Sequence, residues 1–79
     1  MAKRELIYTL AFDGRAGDDR DLACRDIIDR HGGRVTASGT FLMSDPPVRD
    51  LDFVVDANKA PDLVATLRDA GFTVEQRLD

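Results

Sequence analysis

The stretch RVTASGTFLMSDPPVRDLDFVVD, residues 34–56, decides the architecture. Its first ten residues alternate. Val35, Ala37, Gly39, Phe41 and Met43 share one parity, and Arg34, Thr36, Ser38, Thr40 and Leu42 share the other. A period of two predicts a strand over 34–43 with one buried face. Ser44-Asp45-Pro46-Pro47 ends it in a turn, because two prolines cannot serve a central hydrogen-bonded ladder. A further strand follows at once, with Leu51, Phe53 and Val55 inward and Asp50 and Asp52 outward.

Each side of this strand pair carries one more strand and one helix. Upstream, ELIYTLAF (residues 5–12) is apolar at both parities, which suits a strand covered on both faces or nearly so. Asp13-Gly14-Arg15-Ala16-Gly17 breaks it, and Asp18 or Asp19 can cap a helix that runs to His31. Leu22, Ala23, Ile27 and Ile28 recur at helical spacing, and Gly32-Gly33 supplies a left-handed stop. Downstream, Asn58 is a candidate N-cap, Pro61 falls in a first helical turn, and Leu63, Val64, Leu67 and Ala70 form an apolar stripe ended by Gly71. Residues 72–78 close the chain as a short strand.

The order β-α-β-β-α-β contains two crossover connections around one hairpin. Two right-handed β-α-β units that interleave give an α+β, ferredoxin-like split sandwich. The expected sheet is antiparallel with four strands in the order 4-1-3-2, and both helices lie on one face. The expected inner face joins Leu6, Tyr8, Phe41, Leu51, Phe53 and Phe72 to Ile27, Ile28, Leu63 and Leu67. Residues 1–79 form one domain, since a chain of 79 residues builds one core and no more.

Composition narrows the function classes. With 11 basic and 15 acidic residues the formal net charge is −4, and Lys and Arg are interleaved with Asp. A nucleic-acid binder needs a basic stripe, so none is expected as a partner. The apolar run after Arg4 is too short to span a bilayer, and no membrane association is expected. A single cysteine excludes a disulfide framework and fits a reducing cytoplasm.

Few residues suggest chemistry. His31 is the sole histidine and stands where it can cap a helix; Cys24 borders an apolar stripe and reads as a small buried hydrophobe. Asp50 and Asp52 share a strand face but lack a third ligand at fixed spacing, so no metal is expected. No cofactor and no catalytic residue are assigned. The loop 13–18 joins a strand to a helix N-terminus and can offer backbone N–H groups to a carboxylate or phosphate. Asp18 and Asp19 can occupy that same positive end, and the loop matches neither the Walker nor the dinucleotide pattern. Thr36, Ser38 and Thr40 with Gly39 make a hydroxyl-lined edge strand with little charge to prevent pairing, so strand two can join a second copy.

Phe12-Asp13, Ala16-Gly17 and Leu22-Ala23, in that order, and the closing Leu67-Arg68-Asp69-Ala70-Gly71-Phe72-Thr73-Val74 resemble the ACT-type ligand-binding domains. Ala16 stands where that family usually has proline, and Asp18-Asp19-Arg20-Asp21 is an acidic insert. The resemblance implies a non-catalytic module that senses amino acids as a homodimer. Its ligand would lie between Asp13, Gly14, Ala16 and Gly17 of one copy and Thr36 and Ser38 of the other. Tyr8 to Phe12 and Gly32 to Val35 also resemble subtilisin-type propeptides, which implies the alternative of a protease inhibitor or chaperone binding through its open sheet face. An acylphosphatase-like enzyme would need Arg15 in the loop beside an asparagine, and Asn58 is the one asparagine in the chain.

Overall fold

The computed structural model describes residues 4–77. Six elements follow in the expected order: β1 Glu5–Asp13, α1 Asp19–Arg30, β2 Arg34–Phe41, β3 Val48–Asp56, α2 Ala60–Asp69 and β4 Thr73–Arg77. The sheet runs β2-β3-β1-β4, all neighbours antiparallel, which is the expected 4-1-3-2 order read from its other edge. Leu78, the expected end of the last strand, lies outside the described residues.

Alternation positions the core. Tyr8, Leu10 and Phe12 of β1, Leu51, Phe53 and Val55 of β3 and Val74 of β4 point to the helix side and are buried. Cys24 and Ile28 of α1 and Ala60, Leu63, Val64 and Leu67 of α2 pack onto them, with Leu6 and Ile27 partly buried at the margin. Burying each large aliphatic side chain contributes roughly 1.5–3 kcal/mol, so this single cluster supplies most of the driving force. Tyr8 stacks on Phe53 and Phe12 meets Phe72 edge-on, while the Arg20 guanidinium lies over both Phe12 and Phe72.

Both helices stop in the same way. Gly32 and Gly71 have φ of +75° and +95°. Gly33 N–H donates to the Ile28 carbonyl and Phe72 N–H to that of Leu67, while Gly32 and Gly71 bond one residue further on, to Asp29 and Arg68. This is the paired hydrogen bonding of a Schellman stop, which a Cβ would strain.

Four expectations need correction. Phe41 and Met43 are exposed, not part of a buried face. The strand ladder slips between Val35 and Ala37, so Val35 stands opposite buried Phe53 but Ala37 stands opposite outward Asp52. This bulge at Thr36 reverses the parity of everything after it, turning Ala37, Gly39 and Phe41 to the open face. Met43 and Leu42 fall in the turn after β2. On α1, Leu22 and Ala23 are exposed and the buried positions are Asp21, Cys24 and Ile28, because the Asp21 carboxylate is drawn under the first loop by its hydrogen bonds. On α2, Ala70 is the exposed C-cap rather than part of the stripe. The N-cap of that helix is Lys59; Asn58 precedes it, its N–H held by the Asp56 carboxylate.

Candidate functional site

The first loop leaves the sheet at the end where β1 and β3 pair Asp13 with Val48. Its geometry is set by two carboxylates. Asp18 caps α1: its Oδ1 accepts from Asp21 N–H at 2.9 Å and its Oδ2 from Arg15 N–H at 2.8 Å. Asp21 Oδ2 accepts from Gly17 N–H at 2.8 Å, and Gly14 N–H donates to the Pro47 carbonyl at 2.8 Å. Asp18 N–H bonds the Arg15 carbonyl. Among the described residues, Ala16 N–H is thus the loop donor without a protein acceptor. The positive end of α1 is filled by the chain's own acids, so the loop is not an empty cradle.

Asp21 reaches further. Its Oδ1 accepts from Arg49 Nε at 3.2 Å, and Arg49 Nη1 donates to Thr40 Oγ1 at 3.0 Å. Asp21 and Arg49 are both buried, at 3% and 6% exposure. One chain of contacts therefore ties the loop, α1, β3 and the end of β2. Burial pushes the Asp21 carboxyl up, but the Gly17 N–H and the Arg49 guanidinium outweigh it and leave the group below the usual carboxylate range. Hydrogen bonds from the Arg15 and Asp21 backbone hold Asp18 down as well. Sequence reasoning missed this pair. The signal was the parity of Arg49, which is that of Leu51 and Phe53 and puts a guanidinium on the core side.

Within one chain the six residues assigned to ligand binding form two groups. Asp13, Gly14, Ala16 and Gly17 lie together in the loop. Thr36 and Ser38 are exposed on β2, separated from β1 by β3, with Ser38 opposite Leu51 and Thr36 Oγ1 3.4 Å from the Asp52 carbonyl. β2 is an outer strand, so one of its edges is unpaired.

The remaining candidates divide clearly. Cys24 is fully buried, and burial, then the Asp21 charge, pushes its thiol up to about 11, far from a reactive thiolate. His31 is the C-cap of α1, with Nδ1 2.8 Å from the Ile27 carbonyl, a geometry that puts the proton on Nδ1. Asp50 and Asp52 do share the open sheet face; Asp52 accepts from Thr9 Oγ1 at 2.7 Å and from Arg77 at 2.9 Å. No group of three or more metal-ligating side chains converges among the described residues. Arg15 and Asn58 stand at opposite ends of the sheet, the first beyond Asp13 and the second beyond Asp56, which pairs with Glu5. No described helix is long and apolar enough to cross a membrane.

A separate groove of about 380 Å³ opens between α2 and the outer part of the β1–β4 pair. Leu6 and Tyr8 floor it, Ala60, Pro61, Val64 and Ala65 of α2 line one wall, and Arg68 and Gln76 supply polar groups. Small side chains on α2 leave this space beside the core.

No family model matches the sequence, and no curated protein matches it. Among solved structures, the chain is similar to a formyltetrahydrofolate deformylase from Burkholderia mallei ATCC 23344, with a TM-score of 0.64 over 95% of this chain at 16% identity. The match takes in 28% of that protein, so this chain spans little more than a quarter of its length. At that identity the likeness speaks to the fold.

Proposed function

We propose that this chain is a non-catalytic, cytoplasmic regulatory module that binds a small molecule of amino-acid type and works as a homodimer joined through β2. The observation that carries the reading is the free edge of β2. From Val35 to Phe41 it offers no charged side chain or proline, two of the devices that guard natural edges, and its one interruption is the bulge at Thr36. Two-fold antiparallel pairing of β2 with its counterpart extends two sheets into one of eight strands.

The dimer answers a problem of the single chain. Within one copy β3 separates Thr36 and Ser38 from β1 and its loop, and in this reading the partner contributes them to its neighbour. The ligand then lies between Asp13, Gly14, Ala16 and Gly17 of one copy and Thr36 and Ser38 of the other. The Asp13 carboxylate, without an ion pair among the described residues, receives the ammonium group, and the free Ala16 N–H meets the carboxylate.

An amino-acid panel followed by backbone amide shifts tests ligand and site together. Shifts confined to 13–17 and 36–38, with a dimer by sedimentation, are expected. A strict monomer at high concentration overturns the dimer. Shifts at Leu6, Val64 and Gln76 instead move the ligand to the α2 groove and overturn the loop assignment.

A further inference from the structure

The register of the sheet sorts the charges of this protein. Side chains directly opposite each other share a face, and β1, β3 and β4 send their buried residues to the helix side. The other face therefore carries Glu5, Asp13, Asp50, Asp52, Asp56 and Glu75. Against these six acids it holds, among the described residues, two bases, Arg34 opposite Val54 and Arg77 opposite Ile7. The balance is −4, the formal net charge of the whole 79-residue chain. The remaining nine acidic and nine basic residues cancel.

This distribution is not neutralised locally. Asp52 is the one open-face carboxylate in an ion pair among the described residues. Glu5 and Asp56 across strands and Asp50 and Asp52 along β3 stand roughly 5–7 Å apart, inside a Debye length of about 8 Å at physiological salt, so their potentials add. The carboxylates are spread over β1, β3 and β4 rather than converging on a point, which suits an extended cationic surface better than a single ion.

The face also has two apolar pairs. Ile7 and Val54 are cross-strand partners flanked in their row by Arg77 and Arg34, with the Glu5–Asp56 pair beyond them, and Phe41 and Val48 are partners toward the other end, in the row of Asp13. The bulge at Thr36 is what turns Phe41 outward, where it is 60% exposed. Val54 lies six steps along β3 from Val48, about 20 Å at the rise of a strand. A helix covers that span in about 13 residues, and helices are what commonly cover an open sheet face.

We propose that the open sheet face docks a cationic amphipathic helix of a partner protein, apolar at two points about 13 residues apart and basic between them. The apolar anchors seat on the Ile7–Val54 and Phe41–Val48 pairs, and the basic segment crosses Asp50, Asp52 and Glu75. This goes beyond the amino-acid reading and does not depend on it, because the face is formed by one chain and Phe41 of β2 points out of the sheet plane, not along the edge through which β2 would pair.

The test uses a synthetic helix of about 16 residues with leucines at both ends and Lys and Arg between, titrated by fluorescence anisotropy and by amide shifts. Binding is expected to weaken about tenfold or more as ionic strength rises from about 0.02 M to about 0.2 M. Shifts should map to β1 and β3, around Ile7, Val48 and Val54. The double variant Asp50→Asn/Glu75→Gln should lose about tenfold in affinity, while Asp29→Asn/Asp69→Asn, which changes net charge equally on the helix side, should stay within about twofold. Phe41→Ser should weaken binding about fivefold. Equal losses in both double variants, shifts mapping to α1 and α2, an unaffected Phe41→Ser, or no binding at low ionic strength would each overturn the proposal.

Discussion

Asp21 accepts hydrogen bonds from three parts of the chain, Gly17 in the loop, Arg25 on its own helix and Arg49 on β3. Its partner Arg49 is buried too, so removing the charge strands a guanidinium in a dry site. Asp21→Asn is expected to cost about 3 kcal/mol near neutral pH, measured by urea unfolding, because breaking one side of a buried pair leaves the other uncompensated. Both Asp18 and Asp21 have folded-state pKa values below their unfolded ones. The stability they contribute is therefore full above the unfolded carboxylate pKa of about 3.9 and is lost as pH falls through the lower folded values. The gap between wild type and Asp21→Asn should accordingly narrow in acid; a gap that stays constant through strongly acidic pH contradicts the assignment. Of this residue network, the cap was legible as Asp18 or Asp19 from the acidic first turn, and the tertiary structure selects Asp18. The Asp21–Arg49 contact was not legible, since pairing a helix residue with one 28 positions later needs the two elements in place.

β2 is the element whose pattern misled. A strict alternation of ten residues implied a buried Phe41, and one slipped position reversed it. A bulge has no compositional mark in a row of Val, Thr, Ala and Ser; it is selected by the partner strand. Here the slip lets Thr40 face the helix side and accept a hydrogen bond from Arg49. Phe41→Ser separates the two pictures: the exposed ring implies a loss under about 0.5 kcal/mol, whereas a core ring would cost about 3–5 kcal/mol. The helix stops were readable, because a left-handed residue favours glycine strongly. Gly71→Ala, at φ +95°, is expected to lower stability by about 1 kcal/mol by thermal or chemical unfolding. Residue Leu22 shows the limit of periodicity at this scale, since a helix with a buried acid turns a leucine to solvent.

At the scale of the whole molecule, the folded chain gathers its net charge onto one side of the sheet. Like charges held together on folding oppose it, so added salt should raise the urea midpoint by screening them. Asp50→Asn/Glu75→Gln should remove much of that dependence and Asp29→Asn/Asp69→Asn little of it. Equal dependence in both variants would show that the face carries no excess repulsion. The same asymmetry bears on function. The residues off the open face sum to no net charge, the β2 edge carries no charge from Val35 to Phe41, and the acidic face is open, so three surfaces of one small domain offer different chemistry to different occupants.

Local chemistry was enough to settle element types and their order, because strand alternation, caps, glycine stops and prolines act within a few residues. With two crossovers and one hairpin, that order leaves a single compact topology, and the sheet order follows from the handedness of the connections. The candidate loop was also visible as a loop, as were the hydroxyls of β2. Tertiary structure decided what those features present to a ligand or a partner. It placed Asp18 and Asp21 on the loop's own N–H groups, paired Asp21 with Arg49, slipped β2 by one residue and collected six carboxylates on one face. Each of these depends on registers and contacts between segments far apart in the chain, where the free energy of one pairing is set by its neighbours in space rather than in sequence.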